Sequence, residues 1–140
     1  MKRPQVTIRL SDQGQPFAAG QVLECEYQMR SSRGYDVLAI EESVLWYTEG
    51  KGDEDLMVHH FHRRVDGEDG QDLYSPHLLH TQLPRSPLSY AGVIVKIHWC
   101  VRIRVFVKQG KEFLYEEPFQ LGDVPSGTCI DDAVEGGELE

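Results

Sequence analysis

The residues with the clearest potential for chemistry are three histidines within four positions, His59, His60 and His62, interrupted by Phe61. Alternate side chains of a β-strand point to the same side, so His60 and His62 share one face. His59 and Phe61 then share the other. Two imidazoles spaced in this way suit a zinc ion, which makes His60 and His62 candidate metal ligands. A third ligand would come from elsewhere in the chain: His77, His80, Asp53 or Asp55. The alternative is a solvated strand face.

The chain lacks the motifs of the common catalytic and nucleotide-binding sites. Ser86 and Ser89 lie in a proline-rich loop, without the GxSxG elbow of a serine hydrolase. Adjacent carboxylates such as Glu41 and Glu42 project to opposite sides of a strand, whereas a pair that shares a proton needs both on one side. No GxGxxG pattern and no phosphate-binding GxxxxGK pattern occurs. The sequence therefore predicts a protein that is not an enzyme, with no catalytic residues and no cofactor.

A stripe of basic residues is the second candidate site. It lies on one face of a long predicted strand and comprises Lys96, His98, Arg102, Arg104 and Lys108. Such a stripe could dock an acidic or phosphorylated segment of another protein. The alternative is a solvent-facing surface neutralised by acidic neighbours. The partner-binding candidates are Arg104, Lys96 and Arg102.

Composition restricts the class of partner. The 140 residues carry a formal charge of −9, from 14 basic and 23 acidic residues, which does not suit binding to nucleic-acid phosphates. No apolar stretch approaches the 18 residues of a membrane span. The N-terminus has no apolar segment typical of a secretory signal, so we expect a cytoplasmic protein whose partner is another protein.

The three cysteines, Cys25, Cys100 and Cys129, are an odd number and contain no CxxC pair. Cys25 and Cys100 lie within apolar strand-like segments, so we expect reduced thiols in or near the core. A bridge between Cys25 and Cys100 is the alternative, and it would need an export route that the sequence does not reveal.

Alternation of apolar and polar residues predicts the elements that position these side chains. Residues 23–29 alternate in this way, and residues 38–46 do so apart from Glu42. Residues 56–65 are a further predicted strand. Residues 93–108 give the strongest pattern, with eight apolar side chains from Val93 to Val107 on one face. Because this strand would be unusually long, we expect a bulge or bend within it.

A hairpin is expected where Lys108, Gln109 and Gly110 follow the long strand, with Gly110 in the left-handed conformation. This loop pairs Val107 with Lys111. The same register places four further pairs of residues opposite one another: Val105 and Phe113, Ile103 and Tyr115, Arg102 and Glu116, and Arg104 and Leu114. Arg102 is thereby partly neutralised, whereas Arg104 lacks an acidic partner on that side. Partner binding should therefore depend on Arg104 and Lys96 before Arg102.

About seven or more short strands separated by turns, with no long helix, predict an all-β fold, an antiparallel immunoglobulin-like sandwich. We expect this domain to span residues 1–122. Residues 123–140 contain six acidic and no basic residues, and they are expected to form a disordered tail. The alternative role for this segment is an acidic interaction tail.

Several segments, in order, resemble the arrestin-like superfamily, in particular its N-terminal type of domain. The best match is the sequence LPRSPLSYAG at residues 83–92, which leads into the long strand at residues 97–103. The other matching segments are residues 6–10, 17–23, 44–50 and 118–121. Together they span about 115 residues, although each motif is short.

The resemblance implies an arrestin-like β-sandwich that binds other proteins without catalysis, through a sheet edge, loops or the basic strand face. Members of the superfamily usually contain two tandem sandwiches, and this chain has room for one. The PPxY motif and clathrin-box-like segments are absent, so no trafficking role is implied. The alternative function, from a different class, is a small metal-binding protein or metal-dependent enzyme that uses the cluster from His59 to His62.

Overall fold

The computed structural model describes residues 3–12, 14–52, 54–68 and 72–122, and these form an all-β domain with no α-helix. Eight strands follow one another along the chain: β1 (Gln5–Leu10), β2 (Val22–Ser31), β3 (Val37–Gly50), β4 (Leu56–Val65), β5 (His77–Gln82), β6 (Tyr90–Ala91), β7 (Val95–Val107) and β8 (Glu112–Phe119). The acidic segment 123–140, for which we expected disorder, lies outside the described residues.

The strands form two sheets. One has the order β1–β2–β5. The other has the order β4–β3–β7, and both β6 and β8 pair with the far side of β7. Every pairing between named strands is antiparallel. This architecture confirms the predicted antiparallel sandwich, and it leaves β4 as an edge strand of the larger sheet.

Alternation along β2 and β7 builds the core between the sheets. The inward side chains of β2 are Leu23, Cys25, Tyr27 and Met29, each at most 1% exposed. They belong to one buried cluster with the inward residues of β7: Trp99, Val101, Ile103, Val105 and Val107. Burial of large apolar side chains on both sheets is the main stabilising contribution to such a fold.

The long β7 strand begins later than the alternation suggested. Val93 is 91% exposed and lies before the strand, because residues 92–94 form the turn that follows β6. The bulge expected within residues 93–108 occurs instead in the neighbouring strand β3. There Val37 pairs with Val107 but Ala39 pairs with Phe106, so Leu38 is the extra residue.

The β7–β8 hairpin has the predicted register. Val105 lies opposite Phe113, Ile103 opposite Tyr115 and Arg102 opposite Glu116. Gly110 has a φ of +79°, the left-handed conformation that the three-residue loop requires. The local signals of one glycine and two alternating strands therefore predicted the pairing correctly.

A second bulge interrupts the edge strand β4. Val44 of β3 pairs with His60, whereas the next residue, Leu45, pairs with Val58. His59 is therefore an extra residue, and a bulge reverses the alternation of side chains on either side of it. The side chain of His59 therefore points in a different direction from the one that a regular strand would give it.

Candidate functional site

Glu42 is a buried charge in an otherwise apolar layer. Its side chain is 3% exposed, and it projects from β3 into the space between the two sheets. The phenol of Tyr27, on β2 in the opposite sheet, donates a hydrogen bond to Oε1 of Glu42. A buried carboxylate is tolerated only when donors surround it, and the neighbouring strand β4 supplies the others.

Two side chains of β4 complete this cluster. Nε2 of His60 lies 3.0 Å from Oε2 of Glu42, and Nη2 of Arg64 donates to Oε1 over 3.3 Å. Nε of Arg64 also donates to the hydroxyl of Tyr27 over 3.0 Å. Burial alone would lower the pKa of Arg64, but its bonds with Tyr27 and the charge of Glu42 raise it overall. We call Tyr27, Glu42, His60 and Arg64 the polar anchor, because they fix β4 to both sheets.

His77 of β5 lies beside the polar anchor. Its ring centroid is 5.4 Å from that of Tyr27, and the residue is 7% exposed. Burial and the nearby positive charge of Arg64 lower the pKa of His77. Its Nε2 atom has no hydrogen-bond partner among the described residues. Burial and the charge of Arg64 thus favour the neutral form of the His77 imidazole.

The bulge turns His59 toward the opposite sheet as well. Its Nε2 donates to the carbonyl oxygen of Gln82 on β5 over 2.7 Å, and its ring lies edge-on to Trp99 at 6.2 Å between centroids. The prediction that His59 and Phe61 share a face is therefore wrong, because the extra residue reverses the alternation. His60 and His62 do share a face, since they pair with Val44 and Glu42.

The outer side of β4 has the opposite character. Three large apolar side chains are exposed along it: Leu56 51%, Val58 47% and Phe61 53%. We call these three residues the β4 apolar patch. Met57 is also 59% exposed, but it pairs with Trp46 and so lies on the other face of the strand. Strand β4 therefore has an inward side fixed by polar bonds and an apolar surface exposed at a sheet edge.

Arg63 borders the β4 apolar patch. Its Nη1 donates to Oε2 of Glu41, which lies directly opposite on β3, over 2.5 Å. Its guanidinium also lies 5.2 Å from the ring centroid of Phe106. The Arg63 side chain remains 45% exposed, and a guanidinium carries five N–H donors.

The basic stripe on β7 is mostly neutralised. Arg102 pairs with Glu116 as predicted, with Nη2 and Oε2 2.6 Å apart. The expectation that Arg104 lacks an acidic partner is wrong. Its Nε donates to Glu112 over 3.1 Å, and Nη1 lies 3.6 Å from Glu41. Arg104 faces Leu114, but its long side chain reaches Glu112 two positions away, and β3 supplies Glu41 directly opposite.

Lys96 is an exposed member of the stripe. It lies opposite Glu49 on β3, but Glu49 pairs with His98 over 2.7 Å. Lys96 makes no ion pair with the part of the chain that the structure describes. Of the three proposed partner-binding residues, only this lysine therefore keeps an unshared charge within those ranges.

The proposed metal ligands are dispersed. His60 bonds to Glu42, while His62, His80 and Asp55 are exposed on β4, on β5 and before β4. Asp53 lies outside the described residues. Within residues 3–12, 14–52, 54–68 and 72–122, no group of three histidine, cysteine or acidic side chains could hold a metal ion.

Cys25 and Cys100 are free, as expected for reduced thiols, and the alternative of a bridge between them is wrong. Cys25 points into the core, whereas Cys100 alternates with Trp99 and Val101 and so lies on the outer face of the other sheet. Burial raises the pKa of each thiol to about 12, so neither is a reactive nucleophile.

Sequence reasoning missed both features that distinguish β4. Glu42 broke the apolar alternation of β3, and this exception was the available signal for a buried polar cluster. The β4 apolar patch had no such signal, because residues 56–58 are equally consistent with a buried segment. Helices that could cross a membrane are absent from the described ranges.

Comparison with known proteins supports the fold. No known family profile matches the chain, and no curated protein matches it. The structure of Spo0M, a sporulation control protein from Bacillus subtilis, is similar with a TM-score of 0.57 at 11% identity. The match covers 86% of this chain and 50% of Spo0M, so the chain spans half the length of that protein. This likeness supports the arrestin-like sandwich expected from the sequence.

Other structures match more weakly. A superoxide reductase (neelaredoxin) from Ignicoccus hospitalis has a TM-score of 0.49 at 7% identity, over 84% of this chain and 80% of that one. A beta-glucosidase from Listeria innocua has a TM-score of 0.35 at 12% identity, over 86% of this chain and 16% of that one. Scores at this level support no conclusion about activity.

Proposed function

We propose that this chain is a non-catalytic protein-interaction domain of the arrestin-like superfamily, and that the edge of β4 is where its partner binds. The observation that carries this proposal is the β4 apolar patch, exposed on an edge strand that the polar anchor fixes from within. Exposed apolar surface of this kind is typical of protein–protein contact sites. An edge strand also offers backbone groups to an added strand.

Comparison with the other strand edges favours β4. Strand β1 has no large hydrophobic side chain that is exposed, β5 has Leu78, β6 has Tyr90 and β8 has Leu114. Strand β4 has four within ten residues. A solvated edge would carry polar side chains at these positions. Exposing apolar side chains there costs free energy, and a bound partner that covers them would offset this cost.

The polar anchor supports binding by limiting the freedom of β4. His60 and Arg64 bond to Glu42, and His59 bonds to Gln82 of the opposite sheet. An edge strand ordered before binding loses little further conformational freedom when a partner arrives. The proposed partner is another protein, and the proposed location is the cytoplasm.

The basic stripe supports a secondary contribution at most. Arg102 and Arg104 would have to exchange their carboxylate partners, Glu116 and Glu112, for those of a binding protein. Lys96 would not have to exchange a carboxylate partner. We therefore expect an acidic segment of the binding protein to contact the stripe at Lys96 before Arg102 or Arg104.

Site-specific photo-crosslinking in the native cell extract tests the proposal. A photoreactive residue replaces Phe61 in one variant and Leu78 in a matched control, because Leu78 is 62% exposed on an edge of the other sheet. We expect position 61 to crosslink to a defined protein. We expect position 78 not to crosslink to that protein. The same products from both positions, or none from position 61, would contradict the proposal.

A further inference from the structure

The backbone groups that β4 leaves free follow from its pairing with β3. The N–H of Asp66 donates to the carbonyl oxygen of Leu38, so this position belongs to the hydrogen-bonded pairs of the ladder. Antiparallel ladders alternate between bonded and non-bonded pairs. The N–H and carbonyl groups of Val65, Arg63 and Phe61 therefore point away from β3, toward solvent.

The bulge changes the alternation but keeps the free edge. Before His59, the N–H of Thr48 donates to the carbonyl oxygen of Asp55. The same alternation then directs the backbone groups of Leu56 and Val58 away from β3. An added strand would thus form backbone hydrogen bonds with Leu56 and Val58 before the bulge. After the bulge it would bond to Phe61, Arg63 and Val65.

The same register places apolar side chains beside the added strand. Val58 lies opposite Leu45, and Phe61 lies opposite Ser43, which puts both on the outer face of the sheet. Neighbouring side chains on one face of adjacent strands pack against each other. Apolar residues at alternate positions of the added strand would therefore cover Leu56, Val58 and Phe61.

Charge distinguishes the occupant from a second copy of this chain. Strand β4 carries two arginines and three histidines and contains no acidic residue. Antiparallel pairing of two β4 strands would add further arginines and no carboxylate to this edge, and like charges directly opposite one another destabilise a sheet. Among its described contacts, Arg63 directs one guanidinium nitrogen to Glu41 and remains 45% exposed, so it has donors for a further carboxylate.

We infer that the occupant of the β4 edge is an extended segment of another protein, with apolar side chains at alternate positions and an acidic side chain beside Arg63. This inference rests on the proposed function and specifies the chemistry of its partner. The apolar side chains supply contact area over the β4 apolar patch, and the carboxylate fixes the register against Arg63.

A random dodecapeptide library displayed on phage, selected against the full chain, supplies the probe. We expect the selected peptides to alternate apolar residues and to contain aspartate or glutamate at a fixed offset. A selected peptide, made synthetically, is then titrated against Phe61→Thr and Arg63→Gln. The matched controls are Leu78→Thr on β5 and Arg9→Gln on β1, since Arg9 forms an exposed ion pair with Glu26.

Phe61→Thr should weaken peptide binding about 10-fold or more, and Arg63→Gln about 5-fold, with binding to Arg63→Gln less sensitive to salt. Both controls should bind as the unchanged protein does. Thermal melting confirms that each variant is folded, which is expected because both changes are at exposed positions.

The outcomes separate the two proposals. Binding that depends on Phe61 but not on Arg63, by peptides without acidic residues, overturns the inference and leaves the proposed function standing. Selection of no peptide, or equal binding to Phe61→Thr, contradicts both. A dimer in sedimentation experiments that Phe61→Thr dissociates would make a second copy the occupant and overturn the inference.

Discussion

The phenol of Tyr27 donates to the carboxylate of Glu42 across the space between the two sheets. Tyr27 is 1% and Glu42 2% exposed, so this bond lies in surroundings from which water is excluded. Because Arg64 donates to the same phenol, the hydroxyl is both donor and acceptor. One hydroxyl thereby joins β2, β3 and β4.

Tyr27→Phe should destabilise the domain by about 1–3 kcal/mol, because it leaves Glu42 and Arg64 each short of a hydrogen bond in a buried position. Urea unfolding followed by tryptophan fluorescence measures this change. Tyr74→Phe is the control, since Tyr74 is 42% exposed and its change should cost less than about 0.5 kcal/mol. Equal stability of the two variants would show that the hydroxyl of Tyr27 is dispensable.

His77 should make the domain less stable at acidic pH. Its pKa is lowered in the folded state by burial and by Arg64, so the unfolded chain binds a proton more readily. The contribution of His77 is therefore complete above the unfolded pKa, about 6.5, and is lost as the pH falls toward the lower folded value. The hydrogen bond of His77 to the backbone of Leu73 and the carboxylates of Glu42 and Asp72 raise the pKa of His77, but more weakly.

The free energy of unfolding of His77→Gln should consequently decline less between pH 7.5 and 5.5 than that of the unchanged protein. His80→Gln, on the exposed side of the same strand, should keep the original slope. An unchanged slope in His77→Gln would mean that other groups produce the acid sensitivity.

Cys25 and Cys100 should resist thiol reagents in the folded protein. Burial raises the pKa of both thiols to about 12, so almost no thiolate is present at pH 8. In a Cys129→Ser background, we expect labelling of the native protein to be more than about 100-fold slower than labelling in guanidinium. Mass spectrometry identifies the modified residue, and rapid native labelling of Cys25 or Cys100 would contradict their burial.

Trp99→Ala should destabilise the domain by about 3–5 kcal/mol, because it leaves a cavity in the core. Trp99 is 1% exposed, and its indole N–H donates to the carbonyl oxygen of Pro87 over 2.7 Å. Trp46→Ala provides the comparison, since Trp46 is only partly buried against the same cluster, and its loss should be smaller. Chemical denaturation measures both, and a loss below about 1 kcal/mol at Trp99 would contradict its role as a core anchor.

The features that the sequence predicted well are those that depend on neighbouring residues. Gly110 and the alternation on either side of it determine the β7–β8 hairpin, so its register was predictable. The position of Arg104 beside Glu41 depends on which strand lies on the other side of β7, and no local pattern reports that.

The bulges were beyond prediction for a related reason. His59 is an extra residue because His60 pairs with Val44 of β3 while Val58 pairs with the next residue, Leu45. In this arrangement the side chain of His60 reaches Glu42, and that of His59 reaches Gln82. These contacts involve two other strands. Periodicity therefore located β4 at the correct residues but assigned one of its histidines to the wrong face.

The central pairing of β3 with β7 also determines how quickly this domain is expected to fold. Gly50 lies opposite Val95 and Val37 opposite Val107, so the paired residues are 45 to 70 positions apart in the chain. The chain must close this large loop before the longest ladder stabilises it, which slows folding to the range of milliseconds to seconds typical of β-sandwiches. The β3–β4 and β7–β8 hairpins close over shorter distances, so we expect them to form first and the sheet to be completed when β3 meets β7.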